Sequence, residues 1–572
     1  MQFPRLLNPR RRRRLCALVG LGIAQAGALA LAAWLAKSSF EGLVLNQSQD
    51  FSVPAELLPV GLVLSYLLIT GLRYQERILA ERLGQGFVGA VRLALYDRLS
   101  QLPPRIVQNG PRGANLLRFI GDLSAIRQWV SHGLARLIVS GITLSLALLA
   151  LALINPVMGA AISIVLCAAI VLSFWTGVHL RSHVAEARRQ RSRLATNVDE
   201  ILGAMATILS SGQVRRERRR LARRSKQLRR VMISKARSTA RLRAIGDATN
   251  GLAMVVVLMI AALQSGHDKG GSVIGAMTML GLCLPLVRDL SRVYEYRQTY
   301  LVSYANIAAF MNNPQPTLAL ENHQLTRRRL HGDLAFIDIR AGRLFYNLNA
   351  QIAAGSKVVL TGPNGSGKST LLALAGRLLD PDEGQVLLDN TNLRSISQGK
   401  LRRNIAMVSH DLPLIRGTLE SNLRYRHPGV DTHTLQRISA LCGVDEIIER
   451  SDQGWSQRIL AGGANLSLGE RTRVLLARAL SGDPSVLLLD EIEAHLDART
   501  RERLMAVIRS FPGTVLAVTH DPGLLAAFDH IWRLENGRIA QSTAHGPNVA
   551  LINQLTTTGS HCDSGQLTSD VA

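Results

Sequence analysis

Cysteine is scarce in this chain, and the spacing of the few cysteines excludes two classes of site. Cys16, Cys167, Cys283, Cys442 and Cys562 lie far apart, and no two of them form a C-x-x-C pair. The sequence therefore indicates neither a zinc site nor a disulfide framework. Acidic residues are also scarce, with 41 Asp and Glu against 67 Lys and Arg. So strong a positive charge ordinarily suggests a nucleic-acid partner.

The excess positive charge lies almost entirely in the first half of the chain. Residues 1–315 carry 40 Lys and Arg against 15 Asp and Glu, whereas the remainder is nearly neutral. The same half contains long apolar runs, and its basic stretch 215–220 lacks interleaved aromatic residues. A membrane protein explains that combination better than a nucleic-acid-binding protein does. We therefore expect a lipid bilayer as partner and no nucleic acid.

Six apolar stretches in the first half have close to the length that crosses a bilayer. Their flanks agree with the positive-inside rule, because residues 10–14 are all arginine and residues 181–243 hold 19 Lys and Arg. The rule places both chain ends on the cytoplasmic side of the cell (inner or plasma) membrane. A cleaved signal peptide is the alternative for the basic start, but the apolar run is too long for one. The predicted spans are 15–36, 55–72, 133–154, 157–180, 246–264 and 272–287.

The pattern of the sequence divides the chain into four regions. Residues 1–315 are predicted to form an all-α transmembrane domain, in which 74–132 and 181–243 are helices that continue beyond the membrane. Residues 316–329 are a predicted linker, 330–552 an α/β domain, and 553–572 a disordered tail. The predicted strands of the α/β domain include Lys357–Leu360, Val386–Leu388, Ile405–Val408, Val486–Leu489 and Thr514–Val518.

A glycine-rich loop follows the apolar run Val358–Leu360 and reads G-x-x-x-x-G-K-S. Glycines let backbone N–H groups approach phosphate, the lysine adds positive charge at the β- and γ-phosphates, and the serine hydroxyl can hold Mg²⁺. A helix beginning at about Lys368 would aim its positive end at the same phosphates. The loop predicts a nucleoside triphosphate site, with ATP and Mg²⁺ as cofactors. Its residues are Gly362, Pro363, Asn364, Gly365, Ser366, Gly367, Lys368, Ser369 and Thr370.

Further polar groups follow the loop in a fixed order. An apolar strand ends in Asp490 and Glu491, and a later one ends just before His520. The position of Asp490 suits Mg²⁺ binding, the neighbouring glutamate can polarise the attacking water, and the histidine can donate to the γ-phosphate. Each of these groups alone is weak evidence for a site of ATP hydrolysis. Their order along the chain after the phosphate loop is much more specific evidence. Lys368, Glu491 and His520 are the candidate catalytic residues.

With these motifs the chain resembles the ATP-binding cassette (ABC) transporters, specifically exporter half-transporters that fuse six spans to one nucleotide-binding domain. The segment Gly113–Arg127 also resembles the family's first cytoplasmic loop. The resemblance implies that Gly362–Thr370 is Walker A, that Asp490 and Glu491 are Walker B, and that His520 is the switch histidine. It further implies a signature at Leu466–Glu470, with Ser467 and Gly469 as nucleotide contacts, and a D-loop at Ala494–Asp497. In the family two cassettes enclose two ATP molecules, so a second half-transporter is an expected partner.

Several positions depart from the family pattern. Leu468 replaces a signature glycine and should crowd the backbone there, whereas Glu470, in place of glutamine, can still cap the helix. His410 stands where a glutamine that reaches Mg²⁺ is expected. The position expected for an adenine-stacking aromatic falls near Asp338, with Phe336 or Tyr346 as substitutes. A homodimer that tolerates these changes and a heterodimer with one impaired site are both open.

The leading function is therefore an ATPase that couples hydrolysis to efflux of an unidentified substrate. The alternative is a degenerate subunit with weak ATPase activity that serves as the regulatory or assembly half of a heterodimer. The spans contain few ionisable groups at mid-membrane depth, although they include uncharged polar residues. That composition favours an apolar or amphipathic substrate. The polar residues in question are Gln25, Ser65, Tyr66, Thr249 and Asn250.

Overall fold

The structure is a computed structural model that describes residues 4, 8–43, 57–109, 112–178, 180–263, 270–312, 330–493 and 496–544. The chain divides into two units, Met1–Gln315 and Pro316–Ala572. The predicted linker 316–329 and the predicted tail 553–572 lie outside the described residues, as do Ala494 and His495 of the predicted D-loop.

The described part of the first unit consists of helices joined by short turns. Long helices dominate because extended apolar or amphipathic stretches run without a breaker. Two short π-helical segments, Arg118–Asp122 and Trp129–Leu134, interrupt the third long helical region. The α-helices are α1 (Pro9–Leu43), α2 (Leu58–Ser100), α3 (Pro104–Asn109), α4 (Arg112–Leu117), α5 (Leu123–Gln128), α6 (Ala135–Ile154), α7 (Pro156–Gly177), α8 (Leu180–Gly203), α9 (Met205–Ser210), α10 (Val214–Leu263) and α11 (Gly270–Met311).

The six predicted spans coincide with helical segments, although 157–180 continues past the end of α7 at Gly177 into a turn, and 55–72 begins before α2. By length and composition, four stretches of the described chain could cross a membrane, and they lie in α1, α4–α6, α7 and α10. The predicted spans 55–72 and 272–287 belong to α2 and α11, which begin beside undescribed residues. Several of these helices are much longer than the 20 residues or so that a bilayer requires, so they continue well beyond it.

The predicted continuous extensions are interrupted, and the residue types explain where. The helix ending at Ser100 stops before Pro103 and Pro104, since proline cannot continue a helix. After α9 the chain turns at Gly212, whose φ of 64° suits glycine. Between α6 and α7 the Asn155 side chain accepts a hydrogen bond from the Met158 N–H at 3.2 Å and so caps α7.

The second unit combines three sheets with short helices. The strands are β1 (Leu334–Ala341), β2 (Phe345–Ile352), β3 (Lys357–Thr361), β4 (Glu383–Leu388), β5 (Thr391–Asn392), β6 (Ile405–Ser409), β7 (Gly417–Thr418), β8 (Arg458–Ile459), β9 (Val486–Asp490), β10 (Thr514–Val518), β11 (His530–Glu535) and β12 (Arg538–Ala544). The helices are α12 (Lys368–Ala375), α13 (Gln398–Asn404), α14 (Leu419–Leu423), α15 (Thr432–Cys442), α16 (Asp445–Arg450), α17 (Leu468–Leu480), α18 (Ala498–Ser510) and α19 (Pro522–Leu525). All five predicted strands are present.

The main sheet has six strands in the order β12-β11-β3-β10-β9-β6. The five strands from β11 to β6 are parallel to their neighbours, and β12 pairs antiparallel at one edge. Parallel strands covered on both faces read as continuous apolar runs, as Val486–Leu489 does. Large apolar clusters pack on the two faces, with Leu487 in one and Leu488 in the other. A second sheet, β2-β1-β4-β5, is antiparallel.

Candidate nucleotide site

The candidate site lies at the carboxyl edge of the main sheet, where four neighbouring parallel strands end. In the strand register Val518 pairs with both Leu360 and Asp490, and Ser409 also pairs with Asp490. The loops that leave β3, β9, β10 and β6 therefore begin side by side. Ligands in open α/β sheets bind at this edge. The topology brings together the phosphate loop, the Asp-Glu pair, His520 and His410.

The phosphate loop has backbone geometry that requires glycine at two positions. Gly362 has φ 138°, and a Cβ there would collide with the Leu534 carbonyl. Gly367 has φ 106°, and its Cβ would lie 2.7 Å from the Phe345 ring. An L-residue at either position would be strained and would displace its neighbours. The helix α12 begins directly after Gly367. The N-terminus of a helix is a favourable position for an anion such as phosphate.

Lysine and serine side chains supply the polar groups of the loop. The Lys368 ammonium, on a residue only 5 % exposed, donates to the carbonyls of Gly362 at 2.9 Å and Pro363 at 3.1 Å. The Ser369 hydroxyl donates to Asp490 Oδ1 at 3.0 Å. The Ser366 hydroxyl is buried and has no hydrogen-bond partner. A buried unpaired hydroxyl costs free energy unless it bonds a ligand or water, so this loop fits an oxyanion such as phosphate.

Glu491 and His520 face each other beside the loop. The His520 Nε2 and Glu491 Oε1 atoms are 3.5 Å apart, and both side chains are about half exposed. Glu491 has a left-handed φ of 48°, and its N–H donates to the Val518 carbonyl at 3.1 Å. A glutamate held in that conformation costs ~1–3 kcal/mol and is typical of functional sites.

Glu493 is a residue of this site that the sequence interpretation missed. Its side chain is buried, and one carboxylate oxygen accepts from the Thr519 hydroxyl and from the His520 N–H, the latter at 3.1 Å. The Thr519 hydroxyl in turn accepts from the Asp521 N–H at 3.0 Å. The buried carboxylate thus fixes the backbone that carries His520. The sequence Asp-Glu-Ile-Glu shows a second acid near the strand end, but nothing local indicates that it turns inward.

The predicted signature lies at the start of α17. The Ser467 hydroxyl accepts from the Glu470 N–H at 3.2 Å, and the Glu470 carboxylate accepts from the Ser467 N–H at 2.9 Å. This capping box confirms that glutamate can cap the helix, and Arg450 pairs with the same carboxylate. Leu468 is the first residue of α17, and the expected crowding of the backbone beside a bound phosphate stays a prediction. A Cβ at Gly469, the next residue, would have room.

The signature residues and the phosphate loop do not meet within this chain. Among the described residues, no hydrogen bond or ion pair joins Ser467 or Glu470 to the loop.

The structure places the other positions that differ from the family pattern in different environments. His410 follows β6 as an exposed residue next to the strand that ends in Asp490. Asp338 exchanges hydrogen bonds with Asn349 and is no stacking group. Phe336 is 1 % exposed within the core, so its prediction as a stacking substitute is wrong. Tyr346 is exposed, one residue from the phenylalanine whose ring lies against the phosphate loop.

Comparison with known proteins decides the family. Residues 15–281 match the model of the ABC transporter transmembrane region, and residues 345–494 match the ABC transporter model. The chain belongs to the ABC transporters. An ATP-dependent lipid A-core flippase of Cupriavidus metallidurans is 27% identical over 507 residues, which are 86% of this chain and 84% of the flippase. A β-(1→2)glucan export ATP-binding/permease protein of Rhizobium etli is 28% identical over 311 residues, 52% of each chain.

A solved structure of a bacterial Atm1-family ABC exporter with ATP bound has the same fold. The TM-score is 0.81 at 23% identity, over 97% of this chain and 99% of the other. The predicted architecture is confirmed as a helical transmembrane domain followed by an α/β ABC cassette. This ABC protein is an exporter half-transporter in the membrane that binds ATP and couples its hydrolysis to transport.

Proposed function

We propose that this ABC exporter works as a dimer of half-transporters, in which Lys368, Ser369, Asp490, Glu491 and His520 of each chain hydrolyse ATP. One observation carries the proposal: adjacent parallel strands bring these five side chains to one edge of the main sheet. The α17 end with Ser467 and Gly469 would serve the ATP of the partner half. Within the described residues, Ser467 and Glu470 form no hydrogen bond or ion pair with the phosphate loop of the same chain. This supports assigning the start of α17 to the ATP of the partner half.

The roles follow from position and chemistry. The Lys368 ammonium would exchange its two carbonyl acceptors for phosphate oxygens, and the buried Ser366 hydroxyl would donate to another. The Glu491 carboxylate would orient and deprotonate the attacking water. His520, within reach of that carboxylate, would donate to the γ-phosphate. The nucleotide contacts would include Pro363, Asn364, Gly365 and Thr370.

The donor set also fits Mg²⁺. A hydroxyl and a carboxylate converge where Ser369 meets Asp490, and Mg²⁺ in phosphate sites takes one or two protein oxygens plus phosphate oxygens and water. Among the described residues no larger group of acidic, histidine or cysteine side chains gathers around a metal position. Bound Mg²⁺ would neutralise charge on the β- and γ-phosphates. The exposed imidazole of His410 is a poorer match, because Mg²⁺ prefers oxygen ligands.

The basic residues that flank the spans support an orientation in the membrane, and the apolar spans themselves support a class of substrate. Basic residues flank the spans on one side, so we place both termini and the cassette in the cytoplasm. Apolar spans favour an apolar or amphipathic substrate. The similarity to a protein named as a lipid A-core flippase agrees with an amphipathic molecule.

The proposed catalytic role is tested with Glu491→Gln in the full chain, purified in lipid nanodiscs. Removal of a general base should slow phosphate release by ~10²- to 10⁴-fold while ATP binding, measured by equilibrium titration, is kept. Glu502→Gln changes an exposed glutamate of α18 and serves as the matched control. Unchanged turnover in Glu491→Gln would remove Glu491 from the mechanism.

A second candidate function is a regulatory or assembly half with weak ATPase activity. Leu468 at the start of α17 and the exposed His410 favour it, because both stand where the family pattern has other residues. Native mass measurement of the chain in nanodiscs distinguishes the two. A homodimer that hydrolyses ATP supports the first function. A chain that stays monomeric until a different half-transporter is added, and hydrolyses ATP only then, supports the second.

A further inference from the structure

The first unit contains a cavity of mixed polar and apolar lining, in which cations outnumber the one carboxylate. The cavity has a volume of about 80 Å³ and is lined by residues of α4, the π-helical segment Arg118–Asp122, α5, α8, α10 and α11. That volume exceeds the space that one water molecule occupies several-fold. Its polar lining comprises Asp122, Arg188, Arg191, Lys235, Thr299 and Ser303.

The single carboxylate in this lining is already neutralised. Both oxygens of the buried Asp122 side chain accept from Arg188, Oδ1 from Nε at 2.8 Å and Oδ2 from Nη2 at 2.5 Å. This is the bidentate geometry in which a guanidinium binds a carboxylate most strongly. The pair contributes no net charge and holds α8 against the π-helical segment. Segments of π-helix occur frequently at functional sites.

Two further cations line the cavity. Arg191 donates to the Met232 sulfur at 3.6 Å, a weak acceptor that carries no charge. The Glu295 carboxylate acts electrostatically on Lys235, but it pairs with Arg243 at 3.2 Å. Within the described ranges no ion pair is formed by either Arg191 or Lys235. Lys235 is partly buried whereas Arg191 is exposed, and a partly buried cation without a counter-ion of its own is unfavourable unless an anion joins it.

The position of the cavity favours a soluble occupant over a membrane lipid. Asp122 and Lys235 each lie 11 residues before a predicted span, 133–154 and 246–264 respectively. At the rise of an α-helix this separation is about 16 Å. The cavity thus lies beyond the predicted end of the spans, at a distance where acyl chains do not reach.

We infer that this cavity is a binding site for a small soluble oxyanion, a carboxylate or phosphate compound, separate from the ATP site. The Arg191 guanidinium provides a planar pair of donors, the Lys235 ammonium a point charge, and the Ser303 hydroxyl a neutral donor. The Asp122–Arg188 pair forms the wall behind them. The site goes beyond the proposed transport function and does not depend on the identity of the substrate.

The rate at which Lys235 is acetylated in the full-length chain without substitutions tests the inference. The chain in phosphatidylcholine nanodiscs is treated with acetic anhydride, and the rate at each lysine is read by peptide mass spectrometry. Sodium phosphate, sodium citrate and sodium chloride are compared at equal ionic strength. Lys226, an exposed lysine on the same helix α10, is the internal control.

The inference predicts that phosphate or citrate slows acetylation of Lys235 by about threefold or more once the anion exceeds twice its Kd, while Lys226 is unaffected. Arg191→Gln should abolish the protection and Arg191→Lys should retain part of it. Equal rates at Lys235 with all three salts would overturn the inference. So would equal protection of Lys226, which indicates screening, or protection only by phosphatidic acid placed in the nanodisc, which indicates a lipid headgroup.

Discussion

Two regions of the cassette differ in how well they match the chemistry of ATP hydrolysis. At the carboxyl edge of the main sheet, Lys368, Ser369, Asp490 and Glu491 have the residue types and contacts that a hydrolytic site requires. At the start of α17, the capping box is intact but Leu468 adds an isobutyl group. In the proposed function, the first region would act on this chain's own ATP and the second on the partner's.

The difference separates folding constraints from catalytic constraints. Ser467 and Glu470 cap the start of a helix, a local task that each chain completes alone. Leu468 lies at the start of the same helix and is partly exposed. Under the proposed division of roles, its side chain would face the nucleotide of the partner half. A change at Leu468 would then alter the assembled site more than the fold.

The largest expected effect comes from the hydrolytic region. Lys368→Ala removes the ammonium that bonds the Gly362 and Pro363 carbonyls, and should lower ATP turnover at least ~100-fold, as loss of one preorganised donor does. ATP affinity should fall as well. Lys400→Ala, on α13, is the control in the same phosphate-release assay. Retained turnover in Lys368→Ala would mean that another cation holds the phosphates.

A smaller effect is expected at the positioning residue Glu493. Glu493→Ala leaves the Thr519 hydroxyl and the His520 N–H without their acceptor, so His520 should be held less precisely. We expect kcat to fall by roughly tenfold, with KM for ATP little changed.

A double-mutant cycle separates this role from simple destabilisation. If Glu493 acts through His520, the effects of Glu493→Ala and His520→Ala on kcat are strongly non-additive. Additive effects would assign Glu493 a purely structural role.

The capping box in the second region should affect stability more than chemistry. Glu470→Ala removes the acceptor of the Ser467 N–H and the partner of Arg450, which should cost ~1 kcal/mol. For a unit of this size the melting temperature should fall by about 2–4 °C, measured by differential scanning fluorimetry. Glu449→Ala, an exposed change on α16, is the control and should have no effect.

The smallest effect concerns Glu446, which joins α16 to α17 and α18. Hydrogen bonds from Arg503 and Arg473 lower the pKa of its carboxyl from 4.5 to about 2. Because the folded-state pKa is lowered, this stabilisation is complete above pH 4.5 and is lost as pH falls towards about 2. Glu446→Gln should lower the melting temperature slightly at pH 7 and make no difference near pH 2. A constant difference across that range would exclude the linkage.

The sequence predicts features that depend on local patterns. Each predicted strand is an apolar run with β-branched or aliphatic residues, and α12 begins at Lys368 as the glycine loop indicates. The hydrophobic period alone does not predict the helix breaks near Pro103 and Gly212, which depend on the backbone preferences of proline and glycine. The role of each site residue remains a prediction.

Features that depend on distant contacts could not be read from the sequence. Glu493 contacts Thr519, 26 residues away, and Asp122 contacts Arg188, 66 residues away. Nothing near either acid shows which side chain it meets. The burial of Phe336 has the same cause, because it depends on pairing with β2 and β4.

The comparison of the two regions is tested most directly by the phosphate-release rate of Leu468→Gly in nanodiscs. If bulk at the start of α17 limits an otherwise competent site, turnover should rise several-fold, as expected when ~1 kcal/mol of obstruction is removed. The rise should vanish when Glu491→Gln is added, because hydrolysis depends on that carboxylate. Unchanged or lower turnover in Leu468→Gly would contradict the account, and so would a rise that persists with Glu491→Gln.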